Sequence, residues 1–140
     1  MDIEKIKHAL ENESNEEFLK TDSKKISTMK NNILQKLALP REKLIKIHKT
    51  LKEYRFIDEL PELEYGRYIR WINLMQPDNI KLTTGGVVCD IKVEDEGVIV
   101  VCKNFMNIYF QLNMNETLIF QKLTDQEKVI LSALDYLNTN

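Results

Sequence analysis

Between Thr83 and Cys102 the chain reads TTGGVVCDIKVEDEGVIVVC, with a glycine pair, two cysteines and four acidic residues. Each of these types can do chemistry. Glycines cradle phosphate, thiolates ligate zinc or pass electrons, and carboxylates hold calcium or move protons. The spacing supports none of these here. No Gly-Lys-Ser/Thr follows Gly85-Gly86, and the pair opens a strand, so no helix N-terminus waits for a phosphate. It reads as a turn or a bulge. EDEG reads as a hairpin tip closed by Gly97 in the left-handed region. A four-residue loop sets Val93 opposite Val98, Ile91 opposite Val100 and Cys89 opposite Cys102. A three-residue loop sets Glu94 opposite Val98 and Asp90 opposite Cys102. The first gives a uniform apolar face and is preferred. Cysteines in a hydrogen-bonded cross-strand pair diverge at their side chains. In a reducing cytosol Cys89 and Cys102 are therefore expected as free, buried thiols, with a redox pair as the alternative.

The remaining reactive side chains are scattered. His8 and His48 have no nearby Asp or Cys at ligand or triad spacing and lie far from the cysteines. Asp58, Glu59, Glu62 and Glu64 surround Pro61 without the spacing of a calcium loop and are expected to form a solvated connector. Ser132 sits in a helical pattern with no Gly-x-Ser-x-Gly turn. The sequence thus offers no catalytic residue, no metal site and no cofactor, and points to a non-enzymatic chain.

Binding residues are easier to nominate. YGRYIRWINL brings Tyr68, Arg70 and Trp71 together, and such groups line peptide grooves or stack on bases. Trp71 is expected in the core beside Ile69. Tyr68 and Arg70 face the other way and are surface candidates, as are Phe105 and Tyr109. A second set lies upstream. From Lys20 to Arg55 there are 11 basic and 3 acidic residues, net +8. Lys24, Lys25, Lys30, Lys36, Lys43, Lys46 and Lys49 on helices would make a positive face. That face suits phosphate backbones or an acidic protein surface.

Composition bounds the elements that must position these groups. The chain has 140 residues, 43% hydrophobic and 30% charged, enough for one domain or a small domain with an appendage. Residues 1–56 carry net +4 and residues 57–140 net −6. The longest apolar run, Val98 to Cys102, is far too short to cross a bilayer. The charged start MDIEKIKHALENE lacks a secretory apolar region, so no membrane association and an intracellular location are expected.

Periodicity divides the chain into a basic helical segment, 1–56, and a β domain, 57–140. Ile3, Ile6 and Leu10 mark one helix. Ser14 and Glu17 have capping-box spacing and predict another start. Ile26, Met29, Ile33 and Leu37 form a stripe that ends before Pro40, and Leu44, Ile47 and Leu51 form the next. The polar stretch 11–25 is expected to be mobile or a connector. Five strands follow: RYIRWINL, GVVCDIKV, VIVVCK, IYFQLNM and TLIFQKL. Val87, Cys89, Ile91 and Val93 should share one face, as should Ile108, Phe110, Leu112 and Met114. Thr124 and Glu127 cap a last helix, expected across an open end of the sheet. The predicted fold is α+β: N-terminal helices, then a five-stranded antiparallel barrel of SH3-like or Tudor-like type with a capping C-terminal helix. The apolar stripes of the first helices also suggest a homodimer formed through them.

ELEYGRYIRWINL, KLTTGGVVCDI, VVCKN and LIFQKLTDQEKVILSALDYL together resemble a small, largely uncharacterised family of large nucleocytoplasmic DNA viruses, of the mimivirus and marseillevirus kind. The resemblance spans roughly residues 57–138. It supplies no catalytic residues. It implies a setting, the virion or a viral factory in the host cytoplasm, and viruses whose thiol oxidases bear on the cysteines. The expected function is a binding or structural module acting through protein–protein contacts. The alternative is a nucleic-acid-associated factor using the basic helices.

Overall fold

Among the described residues, four α-helices and six β-strands form where the two periodicities place them, with one strand added. The computed structural model describes residues 2–139, the side chains of Ser14, Glu17 and Thr139 excepted. The chain divides into two compact units, Met1–Leu44 with Leu123–Asn140, and Ile45–Lys122.

In the helical unit each helix start is satisfied by a side chain. Helix α1, Ile3–Glu11, begins at Asp2, whose carboxylate accepts from the N–H groups of Glu4 and Lys5. Helix α2, Ser23–Gln35, begins at Asp22, which accepts from Lys25 N–H at 2.8 Å. Helix α4, Asp125–Thr139, opens with the predicted box: Glu127 N–H donates to Thr124 Oγ1 at 3.0 Å, and Thr124 N–H donates to Glu127 Oε1 at 2.9 Å. Ala9, Phe18, Ile26, Ile130 and Leu131 make the core of this unit. The Ser23 hydroxyl donates to Asp135 at 2.7 Å, and the Asn12 and Asn15 amides donate to Gln126.

Several expectations are corrected here. The α4 segment, grouped in the sequence with residues 57–140, shares its core with α1 and α2. No α-helix starts at Ser14; the backbone makes 3-10 turns over Glu13–Asn15 and Glu17–Lys20. The capping pair itself, Ser14 and Glu17, lies outside the described side chains. The polar stretch 11–25 is not a loose connector, because Phe18 and Asn15 are buried and Asn15 donates to the Ala9 carbonyl. In α1 the expected stripe is rotated: Ala9 is buried while Ile3 and Leu10 are exposed.

Helix α3, Arg41–Thr50, spans the division between the units. The Pro40 carbonyl accepts its first bond, from Leu44 N–H at 3.0 Å, so the missing proline N–H costs nothing. Ile47 and Leu51 are buried as their spacing predicts.

The second unit is an antiparallel sheet of six strands: β1 Tyr54–Ile57, β2 Tyr68–Asn73, β3 Gly86–Glu94, β4 Gly97–Lys103, β5 Tyr109–Asn113 and β6 Thr117–Lys122. Their order is β1-β6-β2-β3-β4-β5. All five predicted strands are present. The sixth, β1, occupies residues read as the end of the helical segment and the start of a linker. The sheet is open, with β1 and β5 as its edges, so the expected closed five-stranded barrel is corrected to a six-stranded open sheet.

The sheet is nonetheless strongly curled. Strand β5 sits four neighbours from β6, about 19 Å on a flat sheet. Only the 3-10 turn Met114–Glu116 joins them. Even fully extended, that link reaches no more than about 14 Å, so the strands must bend toward each other. Ile57, Leu63, Ile69, Trp71, Val88, Val100, Cys102, Leu112 and Ile119 fill the resulting concave side.

The β3–β4 hairpin begins in the preferred register, Val93 opposite Val98 and Ile91 opposite Val100. A bulge between Val88 and Asp90 then shifts it, so Val88 rather than Cys89 faces Cys102. The bulge reverses which residues point inward. Val88 joins the core, while Val87, Cys89 and Val93 are exposed. The shared face predicted for Val87, Cys89, Ile91 and Val93 is therefore broken at Cys89. Along and beside β5, Leu112 and Met114 pack on the core as predicted, while Ile108 and Phe110 are exposed.

Strand β6 is paired on both sides and buried from Thr117 to Gln121. Its Phe120 ring meets Phe56 at 5.7 Å. Gln121 holds the Glu62–Glu64 stretch: its Oε1 accepts from Glu64 N–H and its amide donates to the Glu62 carbonyl, both at 3.0 Å. The acidic stretch expected to be a solvated connector is thus a clamp, with Leu63 in the core and Glu62 accepting from Arg55 and from the N–H groups of Asp58 and Glu59. Replacing Gln121 by Leu keeps the volume but strands two backbone groups, and should lower unfolding stability by about 2 kcal/mol. Urea titration followed by circular dichroism checks this.

Candidate ligand-binding groove

The sequence nominated Tyr68 and Arg70 as an open binding surface. The structure assigns both to holding the chain that follows β2. Past Asn79 the backbone doubles back along β2: Leu82 bridges Ile72, Thr83 N–H donates to the Trp71 carbonyl at 3.0 Å, and Trp71 N–H donates to Thr83 Oγ1 at 3.2 Å. Arg70 Nε then donates to the Thr83 carbonyl at 2.8 Å, and the Tyr68 hydroxyl donates to the Thr84 carbonyl. Burial raises the Tyr54 pKa, and the Arg70 charge and hydrogen bond only partly offset it, so the phenol stays protonated at neutral pH.

The glycine pair has its explanation in the same place. Gly85 lies at φ 95°, and a Cβ there would collide with the Ile69 carbonyl and the Tyr68 ring. At Gly86 a Cβ would come within 2.7 Å of the Lys103 carbonyl. Two residues without side chains let the segment pass between strands that leave no room.

Pinning this segment creates a groove on the opposite face of β2. Trp71, only 6% exposed, belongs to the core yet also lines the groove with Phe110, whose ring centroid lies 5.9 Å away in a tilted contact. Lys81, Leu82, Thr83, Thr84, Gly85 and Asn104 complete the lining, around a volume of about 420 Å³. Aromatic walls with a few hydroxyl and amide groups suit an apolar side chain carried on a polar backbone. Phe105, 82% exposed, and Tyr109 project from the β4–β5 turn and from β5, with Lys103 Nζ 5.8 Å from the Tyr109 ring centre.

Of the nominated residues, then, Trp71 lines the groove, Phe105 and Tyr109 are exposed nearby in sequence, and Tyr68 and Arg70 buttress it from behind. Lys81, Thr83, Thr84, Asn104 and Phe110 were missed. Phe110 carried a signal, since its alternation with Leu112 aimed it at the Trp71 side. The others sit in irregular segments, where spacing says nothing about facing.

The basic set is not one face. Lys24, Lys25, Lys36, Lys46 and Lys49 are exposed, Lys43 is half-buried, and Lys30 is buried. Burial lowers the Lys30 pKa, and this side chain does not face a ligand in solvent. Among the described residues, no three His, Cys, Asp or Glu side chains gather as a metal site, and no helix is long and apolar enough to cross a membrane. Comparison with protein-family profiles, curated proteins and solved structures returns no match.

The two cysteines differ sharply. Cys89, expected to be buried, is exposed by the bulge; Cys102 is buried, and burial with Cys89 nearby pushes its pKa up to about 11. Cys89 should react with an aromatic disulfide reagent in the native protein, and Cys102 only after unfolding, as thiol titration with and without denaturant will show. The sign of the linkage is fixed too. Above pH 9 the unfolded thiol loses a proton that the folded one keeps, so this group lowers stability as pH rises toward about 11.

Proposed function

We propose that the chain is a non-enzymatic binding module that takes a short extended segment of a partner protein in the groove between Trp71 and Phe110. The observation that carries this is the groove itself: the exposed Phe110 ring in tilted contact with the largely buried Trp71, beside hydroxyl and amide groups suited to a peptide backbone. Lys81 at its margin favours an acidic residue beside the apolar one. The curled antiparallel sheet with its short 3-10 link between the last two strands fits an SH3-like or Tudor-like arrangement that has gained β1. The viral resemblance gives the reading a setting, a virus particle or a factory in the host cytoplasm.

Trp71 is the only tryptophan in the chain, so its emission reports the groove directly. Titration with short peptides bearing Leu or Pro next to Asp or Glu should shift that emission saturably. Phe110→Ala should weaken the effect at least tenfold, and Lys81→Glu should weaken it for acidic peptides alone. Unchanged emission across a varied peptide set would remove the proposal.

A second reading keeps one observation in its favour, the exposure of Lys24, Lys25, Lys36, Lys46 and Lys49. If these bind DNA or RNA, fluorescence anisotropy with short oligonucleotides should show affinity that falls steeply between 50 and 200 mM salt, roughly one log unit per log unit of salt for each phosphate neutralised. Lys46→Glu with Lys49→Glu should flatten that slope. No binding at low salt excludes this reading.

A further inference from the structure

The two edges of the sheet are treated differently. Strand β1 is four residues long, and none of its side chains is fully exposed; Arg55 within it is tied to Glu62. Strand β5, Tyr109–Asn113, reads YFQLN and carries no charge, no proline and no bulge to guard its edge. Tyr109 is 62% exposed and Phe110 40%. The hydrogen-bond phase shows which of its backbone groups are free to pair. Asn104 N–H donates to the Ile108 carbonyl at 3.0 Å, which makes those two a hydrogen-bonded pair. Alternation along the ladder then turns Ile108, Phe110 and Leu112 toward β4, and directs the N–H and C=O groups of Tyr109, Gln111 and Asn113 outward.

The charges beside this edge say what fits it. At the Tyr109 end stands Lys103, its partner in register, with its ammonium reaching the Tyr109 ring. At the Asn113 end stands the acidic tip Glu94, Asp95 and Glu96, whose Glu96 carbonyl accepts from the Asn113 amide. One end is basic and the other acidic. A strand added antiparallel with the same sequence reverses that order, so each basic end meets an acidic end, twice, about one two-fold axis.

We infer that β5 pairs with β5 of a second copy of this chain, antiparallel and centred on Gln111, joining two six-stranded sheets. In this register Gln111 faces Gln111, and each Tyr109 faces Asn113 of the other copy, giving roughly six backbone hydrogen bonds. Phe110 faces Leu112, and the two Phe110 rings become diagonal neighbours on the inner face, within reach of each other. Exposed Phe110 is thereby covered without altering the core beneath it. This dimer differs from one made through the N-terminal helices, and it does not depend on any peptide entering the Trp71 groove.

Sedimentation equilibrium of the full chain tests it. The wild type should form dimers at micromolar concentration. Gln111→Pro removes an outward N–H that the monomer does not use, a substitution edge strands tolerate, and should give monomers. Gln111→Lys places two like charges at the two-fold axis and should weaken the dimer at least tenfold. Circular dichroism of both variants should match the wild type; if Gln111→Pro is misfolded, Gln111→Lys alone decides. A wild-type chain that stays monomeric, or a dimer indifferent to Gln111→Lys in a folded protein, overturns the inference.

Discussion

Three residues, Met114–Glu116, set the shape of the β unit. They must carry the chain from one edge of the sheet to a place four strands away, and no flat sheet allows that span. The sheet therefore curls, its concave side closes over Trp71, Val100, Cys102 and Ile119, and β6 arrives in a slot where both neighbours already wait. Burial of β6 from Thr117 to Gln121 follows from that position. So does the need for Gln121 to satisfy the backbone of residues 62–64, since a buried polar side chain must be paired or be costly.

The same economy of polar groups decides which residues remain for binding. Tyr68 and Arg70 look like recognition residues by type, but the Tyr68 hydroxyl and the Arg70 Nε–H are spent on the carbonyls of Thr84 and Thr83. What they do is fix the segment beyond β2 against the strand, and the fixed segment becomes one wall of the groove lined by Trp71 and Phe110. Removal of the Arg70 guanidinium would loosen that wall without touching a ligand. Arg70 is a positioning residue in this sense. The cysteines follow similar logic: a single bulge places one thiol in water and leaves the other in the core, so chemically identical residues acquire different reactivity.

Much of this was legible before folding. The capping box at Thr124 and Glu127, the stripe through Ile47 and Leu51, and five of six strands are local patterns, and the local backbone obeys them. The hairpin register near Val93 and Val98 was legible for the same reason. The failures are equally specific. Phe18 has only Leu19 beside it in a polar stretch, too little to make a period, yet it anchors that stretch in a core. YRFI at residues 54–57 carries Arg55 and comes after a turn, Leu51–Glu53, that holds no glycine or proline, so no turn signal announced a strand. The bulge at Cys89 has no residue type of its own; it arises where the ladders to β2 and β4 meet different demands.

From the order of residues alone came the α+β class, most element boundaries, and the lack of any spaced set of catalytic or metal-binding groups. These are properties of neighbours within a few positions, where spacing and facing are the same thing. Folding in three dimensions settled what lies across from what: the sixth strand, the union of the first and last helices in one core, the pairing of Trp71 with Phe110, and the unguarded edge at β5. Those depend on contacts between residues tens of positions apart. Such contacts are chosen by the burial and hydrogen bonding of the whole unit, and no short stretch of the chain encodes them.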